Sequence, residues 1–248
     1  MTRGWAATAA LMMLLAPGTA RAAEIKVMSS NGLTTVLEAL GPQYEQASGN
    51  KLTIHYDVAN VLKKDIAAGE AFDLAILTGP AMDEVVAAGK VVPATRVDLA
   101  RSGVGIAYKQ GAPRPDIRDA ESFKRAILAA KSVAYTTEGA SGLYFMSVCE
   151  KLGIGDQVKA KAKVLPGGRV AVLVANGEAE LAAQQISELL PVAGVEIVGF
   201  PPDLQKFTSF PAAVGSAAKQ PKAAADLIKF LTDPKNAALM KAKGMEPG

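Results

Sequence analysis

Four short segments of the sequence carry small polar residues or glycine directly before a predicted helix. They are residues 29–32 (SSNG), 59–60 (AN), 136–142 (TTEGASG) and 166–169 (PGGR). A helix N-terminus presents backbone N–H groups without intrahelical acceptors and the positive end of the helix dipole, so it can bind an anion without a metal. Each segment alone is more typical of ordinary N-capping. Their convergence from two halves of the chain would indicate an anion-binding site.

A few longer polar side chains could add charge or amide groups to such a site. Arg169 could hold a carboxylate or an oxyanion through two parallel hydrogen bonds, although a solvated surface arginine explains it equally well. Gln184 and Gln185 end a strand-like run and could donate amide N–H groups or be exposed polar residues. His55 has no neighbouring Ser, Cys or acid in a recognisable catalytic motif, so a structural or surface histidine is preferred.

The composition excludes several classes of function. The 248 residues contain one Cys and one His, so the sequence predicts no metal site and no cofactor. The formal net charge of +3 falls to about +1 if Arg3 and Arg21 are removed with a leader, so nucleic acid is not a predicted partner. Cys149 falls in an amphipathic stretch and is expected to be a buried, inert thiol.

The first 22 residues have the parts of a signal peptide. Arg3 supplies a positive start, residues 5–16 are an apolar stretch, and Ala20-Arg21-Ala22 fits a cleavage site. The apolar stretch is shorter than the roughly 20 residues that a membrane-spanning helix needs. We expect cleavage after Ala22 and a mature chain in the periplasm. An uncleaved N-terminal membrane anchor is the alternative.

Short β-branched runs alternate with helical stretches along the mature chain. The predicted strands at residues 25–28, 52–56 and 72–77 are each followed by a predicted helix, and the alternation resumes after residue 115. This order is typical of βαβ units, and it predicts an α/β fold with a mainly parallel sheet.

Two proline-containing stretches, residues 110–115 and 200–203, bracket the middle third of the chain. They predict that one domain is inserted within another. We therefore expect two lobes, the first formed by residues 23–108 and 203–248 and the second by residues 109–202.

Five motifs, in this order, carry a resemblance to a known family. They are residues 32–38 (GLTTVLE), 62–73 (LKKDIAAGEAFD), 140–144 (ASGLY), 177–179 (GEA) and 223–234 (AAADLIKFLTDP). With them, essentially the whole mature chain resembles the molybdate-binding (ModA-like) branch of the periplasmic solute-binding proteins, which serve ATP-binding-cassette (ABC) importers. The resemblance implies a type II periplasmic-binding-protein fold, in which two hinged α/β lobes close on a ligand in the cleft.

The resemblance also implies where the ligand would bind. In this family Ser hydroxyls, backbone N–H groups and a Tyr hold a tetrahedral oxyanion. The position of the first ligand Ser corresponds to Gly32, which is preceded here by Ser30 and Asn31. The position of the second corresponds to Ala59, which is followed by Asn60. The chain thus lacks both family hydroxyls and offers other polar groups beside them.

The second lobe departs from the family pattern in the same way. Ser141 stands where the third loop usually has an Ala that donates its backbone N–H. The fourth backbone donor falls near Gly167, with Arg169 close by, and Gln185 replaces the Tyr of the later strand. Asn, Gln and Arg suit a small carboxylate at least as well as an oxometalate.

The function expected from these residues is binding without catalysis. We expect the periplasmic substrate-binding component of an ABC importer, monomeric and not an enzyme, that takes a molybdate-like oxyanion or a small organic carboxylate. Its expected partners are this anion and a membrane permease. Two alternatives stay open: an exported enzyme on the same bilobal fold, for which Glu138 and Asp57 are available acids, and a ligand-loaded partner of a membrane sensor.

Overall fold

A computed structural model of the chain describes residues 22–248. The predicted signal peptide therefore lies outside the described residues, apart from Ala22. The strands are β1 Glu24–Ser30, β2 Lys51–Asp57, β3 Leu74–Ile76, β4 Val97–Lys109, β5 Val133–Thr136, β6 Ala162–Leu165, β7 Leu181–Gln185, β8 Val195–Gly199, β9 Phe207–Val214 and β10 Glu246–Pro247.

Helices follow most of these strands, as the alternating pattern predicts. They are α1 Thr34–Ser48, α2 Ala59–Ala68, α3 Gly79–Ala87, α4 Ala120–Ala129, α5 Ala140–Lys151, α6 Gly155–Ala160, α7 Ala171–Ala175, α8 Ile186–Leu189, α9 Pro221–Leu231 and α10 Ala237–Ala242. The expectation of an α/β fold is confirmed. None of the helices within residues 22–248 is long and apolar enough to span a membrane.

The sheet is mixed, which corrects the expectation of a mainly parallel one. The strand order is β2-β1-β3-β9-β4-β7-β5-β6, and β8 and β10 also pair with β4. β1 pairs in parallel with β2 and β3, and β5 does so with β6 and β7, whereas every pair that involves β4 or β9 is antiparallel. Antiparallel pairing needs no helical crossover, so these two strands can pass directly between the two parallel groups.

β4 is long enough to belong to both strand groups. Its residues 97–103 pair with β9, and its residues 104–109 pair with β7 and β8. The change of partner falls at Gly103 and Val104, several residues before the lobe boundary placed after Tyr108. The division into two lobes stays a proposal, and this crossing is the feature that would serve as its hinge.

The apolar interior divides in the same way as the strands. Ile25, Leu40 and Leu74 are buried with side chains of β9 and α9, and they pack on one side of the crossing. On the other side, Phe123 and Phe145 are fully buried and pack around Ile106. Each group therefore encloses a core of its own.

Two glycines end the helices that border the cleft region of the first group. Gly49 after α1 has φ of 74° and Gly69 after α2 has φ of 99°, and the N–H of each donates back into the helix that it ends. This left-handed conformation is strained for residues with a side chain. The positions of these two glycines thus set where α1 and α2 end.

Candidate functional site

One small cavity lies where the loops after β1 and β3 meet the starts of α2 and α5 and the junction of β7 with α8. The residues that line it come from both core groups. They are Ser30, Asn31, Gly32, Val58, Ala59, Thr78, Gly139, Ala140, Ser141, Gln185, Glu188 and Phe210. The structure thus brings together six of the predicted site residues, namely Ser30, Asn31, Gly32, Ala59, Ser141 and Gln185.

The cavity is nearly closed in this conformation. Its free volume is about 30 Å³, and a single water molecule needs about 10–15 Å³ of such space. A second cavity of about 280 Å³ adjoins it and shares Ala59, Thr78 and Ala140 with it. Asn60 lines this outer cavity, as do Glu84, Glu138 and Lys206. A ligand larger than two waters can enter the inner cavity only if the walls move apart.

The walls touch directly across the cleft. Asn60 Nδ2 donates a hydrogen bond of 3.3 Å to the backbone oxygen of Glu138. Gly167 lies against Val58, because a Cβ atom at this glycine would be 3.1 Å from Val58 Cγ1. Asn60 and Gly167 therefore stand at the closed edge of the cleft and outside the inner cavity.

Ser30 presents an unpaired hydroxyl at the inner cavity. The residue is 3% exposed, and its hydroxyl oxygen has no hydrogen-bond partner within residues 22–248. It also makes no side-chain cap on the short 3-10 helix that follows, Asn31–Leu33. A buried polar group without a partner costs about 1–3 kcal/mol. N-capping thus does not explain this serine, and a ligand atom in the cavity would satisfy it.

Gly32 is held at its position by an aromatic ring. A Cβ atom there would lie 2.6 Å from Cζ of Phe210, a distance that real structures do not tolerate without movement. A serine at this position, as the family pattern has, would collide with the ring. The buried Phe210 therefore gives a packing reason for the missing hydroxyl.

Three helices of nine or more residues start at the inner cavity. α2 and α3 begin after Val58 and Thr78, and α5 begins after Gly139; none of these three residues caps its helix through its side chain. The first backbone N–H groups of each helix have no acceptor within the helix. Their dipoles and N–H groups favour a negatively charged occupant.

α5 is seated tightly on the end of β5. A Cβ atom at Gly142 would be 1.9 Å from the backbone oxygen of Thr136, and one at Gly139 would be 2.4 Å from Thr136 Oγ1. Only glycine allows this approach, so the glycines of the segment 136–142 set the position of the helix start beside the cavity.

Gln185 lines the cavity, but its amide is engaged by the crossing strands. With its oxygen accepting from Thr208 Oγ1 at 2.6 Å, its nitrogen donates to the backbone oxygens of Ser102 at 3.0 Å and Gly103 at 3.3 Å. Ser102 and Gly103 belong to β4, and Thr208 belongs to β9. The structure therefore places this side chain as a tie between β7 and the two crossing strands.

Gln184 organises the segment 166–169 instead. Its Oε1 accepts from the backbone N–H of Val170 at 3.0 Å, and its Nε2 donates to the oxygen of Gly168 at 2.6 Å. The same nitrogen donates to Glu188 Oε1 at 3.0 Å. Gln184 is 1% exposed, so these bonds hold the Arg169 loop against the wall that carries Glu188.

Glu188 is the acidic side chain that reaches the inner cavity, and it is not among the site residues predicted from the sequence. Burial raises the pKa of its carboxyl to about 8, against the opposing effects of the Arg169 charge and the hydrogen bond from Gln184. Arg169 makes no ion pair within 4.0 Å among the described residues. Gln184 lies in strand β7 and Glu188 lies in the helix that follows, so the local sequence carries no periodic signal for their contact.

Other reactive side chains lie elsewhere. His55 lines a separate groove with Lys26 and Asp65, so it takes no part in the cavity. Cys149 is fully buried, and burial raises the pKa of its thiol to about 12, which agrees with the inert thiol that the sequence predicts. Within residues 22–248, no three His, Cys, Asp or Glu side chains are grouped as metal ligands.

Comparison with known sequences identifies relatives over almost the whole chain. A family model described as bacterial extracellular solute-binding protein matches residues 25–246. An aconitate isomerase from a Pseudomonas species is 36% identical over 230 residues, which cover 90% of this chain and 87% of that protein.

Two solved structures share the fold at low sequence identity. The periplasmic molybdate-binding protein of Azotobacter vinelandii gives a TM-score of 0.76 at 19% identity, over 90% of this chain and 99% of that one. The sulfate-binding protein of Mycobacterium tuberculosis gives 0.70 at 21% identity, over 91% of this chain and 87% of that one. The type II periplasmic-binding-protein fold and the resemblance to ModA-like proteins are confirmed.

The aconitate isomerase overturns one expectation from the sequence. We expected a protein that is not an enzyme, because the chain has a single His and no recognisable acid–base motif. A relative at 36% identity over 90% of the chain is an enzyme, so that expectation is wrong. Its physical basis was incomplete, since it did not take account of an acid placed in the cavity by folding.

Proposed function

This chain belongs to the family of bacterial extracellular solute-binding proteins, and from this premise we propose that it is an exported isomerase of an unsaturated tricarboxylate such as aconitate. The cavity lined from both core groups supports the proposal most strongly. It joins three uncapped helix starts, the unpaired hydroxyl of Ser30 and the nearby charge of Arg169. The enzyme among its relatives supplies the reaction type.

The charges around the cleft suit a ligand with several carboxylates. The helix starts can hold one or two carboxylates in the inner part. Arg169 does not line the inner cavity, but its charge acts on Glu188, so it can reach a bound carboxylate when the walls move apart. Lys206 lines the outer cavity, with its Nζ 4.9 Å from the ring centre of Tyr144, and can meet a further carboxylate there. A monovalent or tetrahedral ligand would leave some of these donors unused.

The reaction needs a proton to be moved between two carbon atoms. In aconitate, a CH₂ group and a CH= group flank the central carbon, and each bears a carboxylate. Removal of a proton from the CH₂ group spreads negative charge over the three carbons and their carboxylates. N–H groups and a guanidinium that are already in place stabilise such developing charge more than water does, because they need no reorganisation.

Delivery of the bound carboxylate to an ABC permease is the second candidate role, and the family description as solute-binding favours it. For both roles we propose an exported monomer. Its signal peptide would be cleaved after Ala22, and the mature protein would act in the periplasm. A signalling role with a membrane receptor would use the same closed form. Turnover of the ligand distinguishes catalysis from the other two.

The test incubates the purified mature protein with cis-aconitate and, separately, with trans-aconitate, and follows both isomers by proton NMR. We expect each isomer to be converted into the other until the same ratio is reached from both sides. Calorimetry with trans-aconitate, molybdate and sulfate then compares affinities, and the tricarboxylate is expected to bind most tightly. Absence of conversion in both directions would refute the isomerase.

A pair of arginine variants tests the site itself. Arg169→Ala is expected to weaken tricarboxylate binding more than tenfold, or by about 2 kcal/mol or more, because a partly buried charged partner is lost. Arg118→Ala is the matched control, since Arg118 is exposed and does not line the cleft. Its guanidinium pairs with Asp116, with 2.7 Å between nitrogen and oxygen. Equal affinities of the two variants would remove Arg169 from the binding site.

A further inference from the structure

We propose that Glu188 is the catalytic residue that removes and returns the proton during this isomerisation, an inference that rests on the proposed function. It is the one ionisable side chain among the described residues that line the inner cavity. The others there are Ser, Asn, Thr, Gln, Phe and small apolar residues. Among the described residues, Glu188 is therefore the one carboxylate of the inner cavity that can accept a proton, whereas Glu84 and Glu138 line the outer cavity.

The position of Glu188 is fixed from two sides. β7 ends at Gln185, and the short helix α8 (Ile186–Leu189) turns the chain so that Glu188 faces the cavity. Gln184 Nε2 donates to Glu188 Oε1 at 3.0 Å and anchors on the Gly168 oxygen. One carboxylate oxygen is thus held by an amide, and the other stays available to the ligand.

The charges around Glu188 suit a group that must both take and give a proton. Arg169 is the charged side chain that acts on it, and the remaining cavity residues are neutral. Partial burial holds the pKa of the carboxyl near 8 in the free protein. A general acid–base group works best when its pKa lies close to the working pH.

The proposed step balances without a co-reactant. The Glu188 carboxylate takes a proton from the CH₂ carbon, and the C–H electron pair becomes delocalised over the three-carbon unit. The resulting carboxylic acid returns a proton to the former CH= carbon. One C–H bond breaks, one forms, and the double bond moves by one position. Because the two outer carbons exchange roles, the product is again aconitate, and the arrangement of the former CH₂ arm sets whether it is cis or trans.

The experiment compares the wild type with Glu188→Gln in D₂O, using cis-aconitate as the probe. Wild type is expected to form trans-aconitate, and deuterium enters the outer carbons whenever the protonated Glu188 carboxyl exchanges with solvent before it returns its proton. General acid–base groups contribute about 10²–10⁴-fold, so E188Q should lose at least about a hundredfold in kcat and in deuterium incorporation. KM and the calorimetric Kd should stay within about threefold, since Gln keeps the hydrogen bond to Gln184.

Two further variants separate a catalytic role from a structural one. In the wild type, kcat/KM should rise with pH as the Glu188 carboxyl loses its proton near pH 8. Glu188→Asp keeps a carboxylate on a side chain that is one methylene shorter, so it should retain this rise and part of kcat. Glu150→Gln is the matched control, because Glu150 is exposed and pairs with Lys159 at 3.2 Å; its kcat should equal that of the wild type.

The outcomes distinguish the two proposals. An active wild type together with an E188Q that binds but does not turn over supports both. If the wild type is active and the kcat of E188Q lies within tenfold of it, the catalytic role of Glu188 is wrong and the isomerase proposal stands. The same holds if kcat/KM of E188D does not rise with pH. An inactive wild type refutes the isomerase, and the assignment of Glu188 with it.

Discussion

At the scale of single residues, the cleft holds polar groups that the free protein does not satisfy. Ser30 keeps a buried hydroxyl that has no partner among residues 22–248, and Glu188 is held in surroundings that disfavour its charge. Such groups cost folding free energy, on the order of 1–3 kcal/mol for an unpaired hydroxyl. They are characteristic of a site that reaches its best hydrogen bonding only when a ligand is bound.

The raised pKa of Glu188 makes stability depend on pH. In the unfolded chain this carboxyl releases its proton near pH 4.5, whereas in the folded protein it keeps the proton up to about pH 8. The protonated form therefore stabilises the fold fully below pH 4.5, and this contribution falls as pH rises and is lost above about pH 8. Glu188→Gln cannot ionise, so we expect its Tm to exceed that of the wild type by several degrees at pH 9 and to match it at pH 4.

Differential scanning calorimetry of the ligand-free proteins measures this difference. Glu150→Gln should follow the wild type at both pH values, because its carboxylate is exposed to solvent. A constant offset between E188Q and wild type across the pH range would contradict the raised pKa and would indicate a simple packing effect.

At the scale of elements, β7 and its neighbours decide where the site groups go. Gln184 and Gln185 are adjacent in sequence and point to opposite faces of β7, as successive strand residues do. Gln184 therefore orders the Arg169 loop, and Gln185 ties β7 to the crossing strands β4 and β9. The family pattern has a Tyr ligand at the position of Gln185, and here the side chain at that position bonds to β4 and β9 instead.

This tie is tested by Gln185→Met, which keeps a similar volume but removes the amide. The backbone oxygens of Ser102 and Gly103 would each lose a donor in a buried place. We expect a loss of about 1–3 kcal/mol in the free energy of unfolding, measured by urea titration. Gln43→Met is the control, since Gln43 is exposed and donates only to Ala39 O within its own helix; an equal loss in both variants would contradict the tie.

Local patterns were sufficient to predict much of this architecture. The strand-like run that ends in Gln184 and Gln185 is β7, and the ends of α1 and α2 fall at Gly49 and Gly69, because these signals depend on neighbours in sequence. The loops that meet at the cavity were also predicted, since helix starts after parallel strands share one edge of the sheet.

The structural features that could not be predicted from the sequence depend on contacts between residues far apart in the chain. The spaced lysines of residues 159–163 are typical of a solvated charged face. In the structure this run leads into β6, and Lys161 Nζ donates to the backbone oxygens of Ile127, Leu128 and Ala130 at the end of α4. The burial of Glu188 likewise results from packing against the Arg169 loop. Neither interaction leaves a periodic pattern in the local sequence.

At the scale of the whole molecule, the closed cleft implies a cycle of opening and closing. The inner cavity of about 30 Å³ is too small for a tricarboxylate, while Asn60 and Gly167 touch the opposite wall. The two antiparallel strands β4 and β9 connect the core groups and can bend where β4 changes partners. A ligand that contacts both groups favours whichever conformation allows all of its contacts at once.

Small-angle X-ray scattering tests this cycle. The free protein should sample open forms, and saturating trans-aconitate should lower its radius of gyration, because the ligand joins helix starts from the two core groups. Glu188→Gln is the best form for this measurement, since it is expected to bind without turning the ligand over. Arg169→Ala at the same ligand concentration should stay near the free value. A radius that does not change although calorimetry records saturation would mean that the ligand binds to a preformed cleft, and closure would then have no role in catalysis.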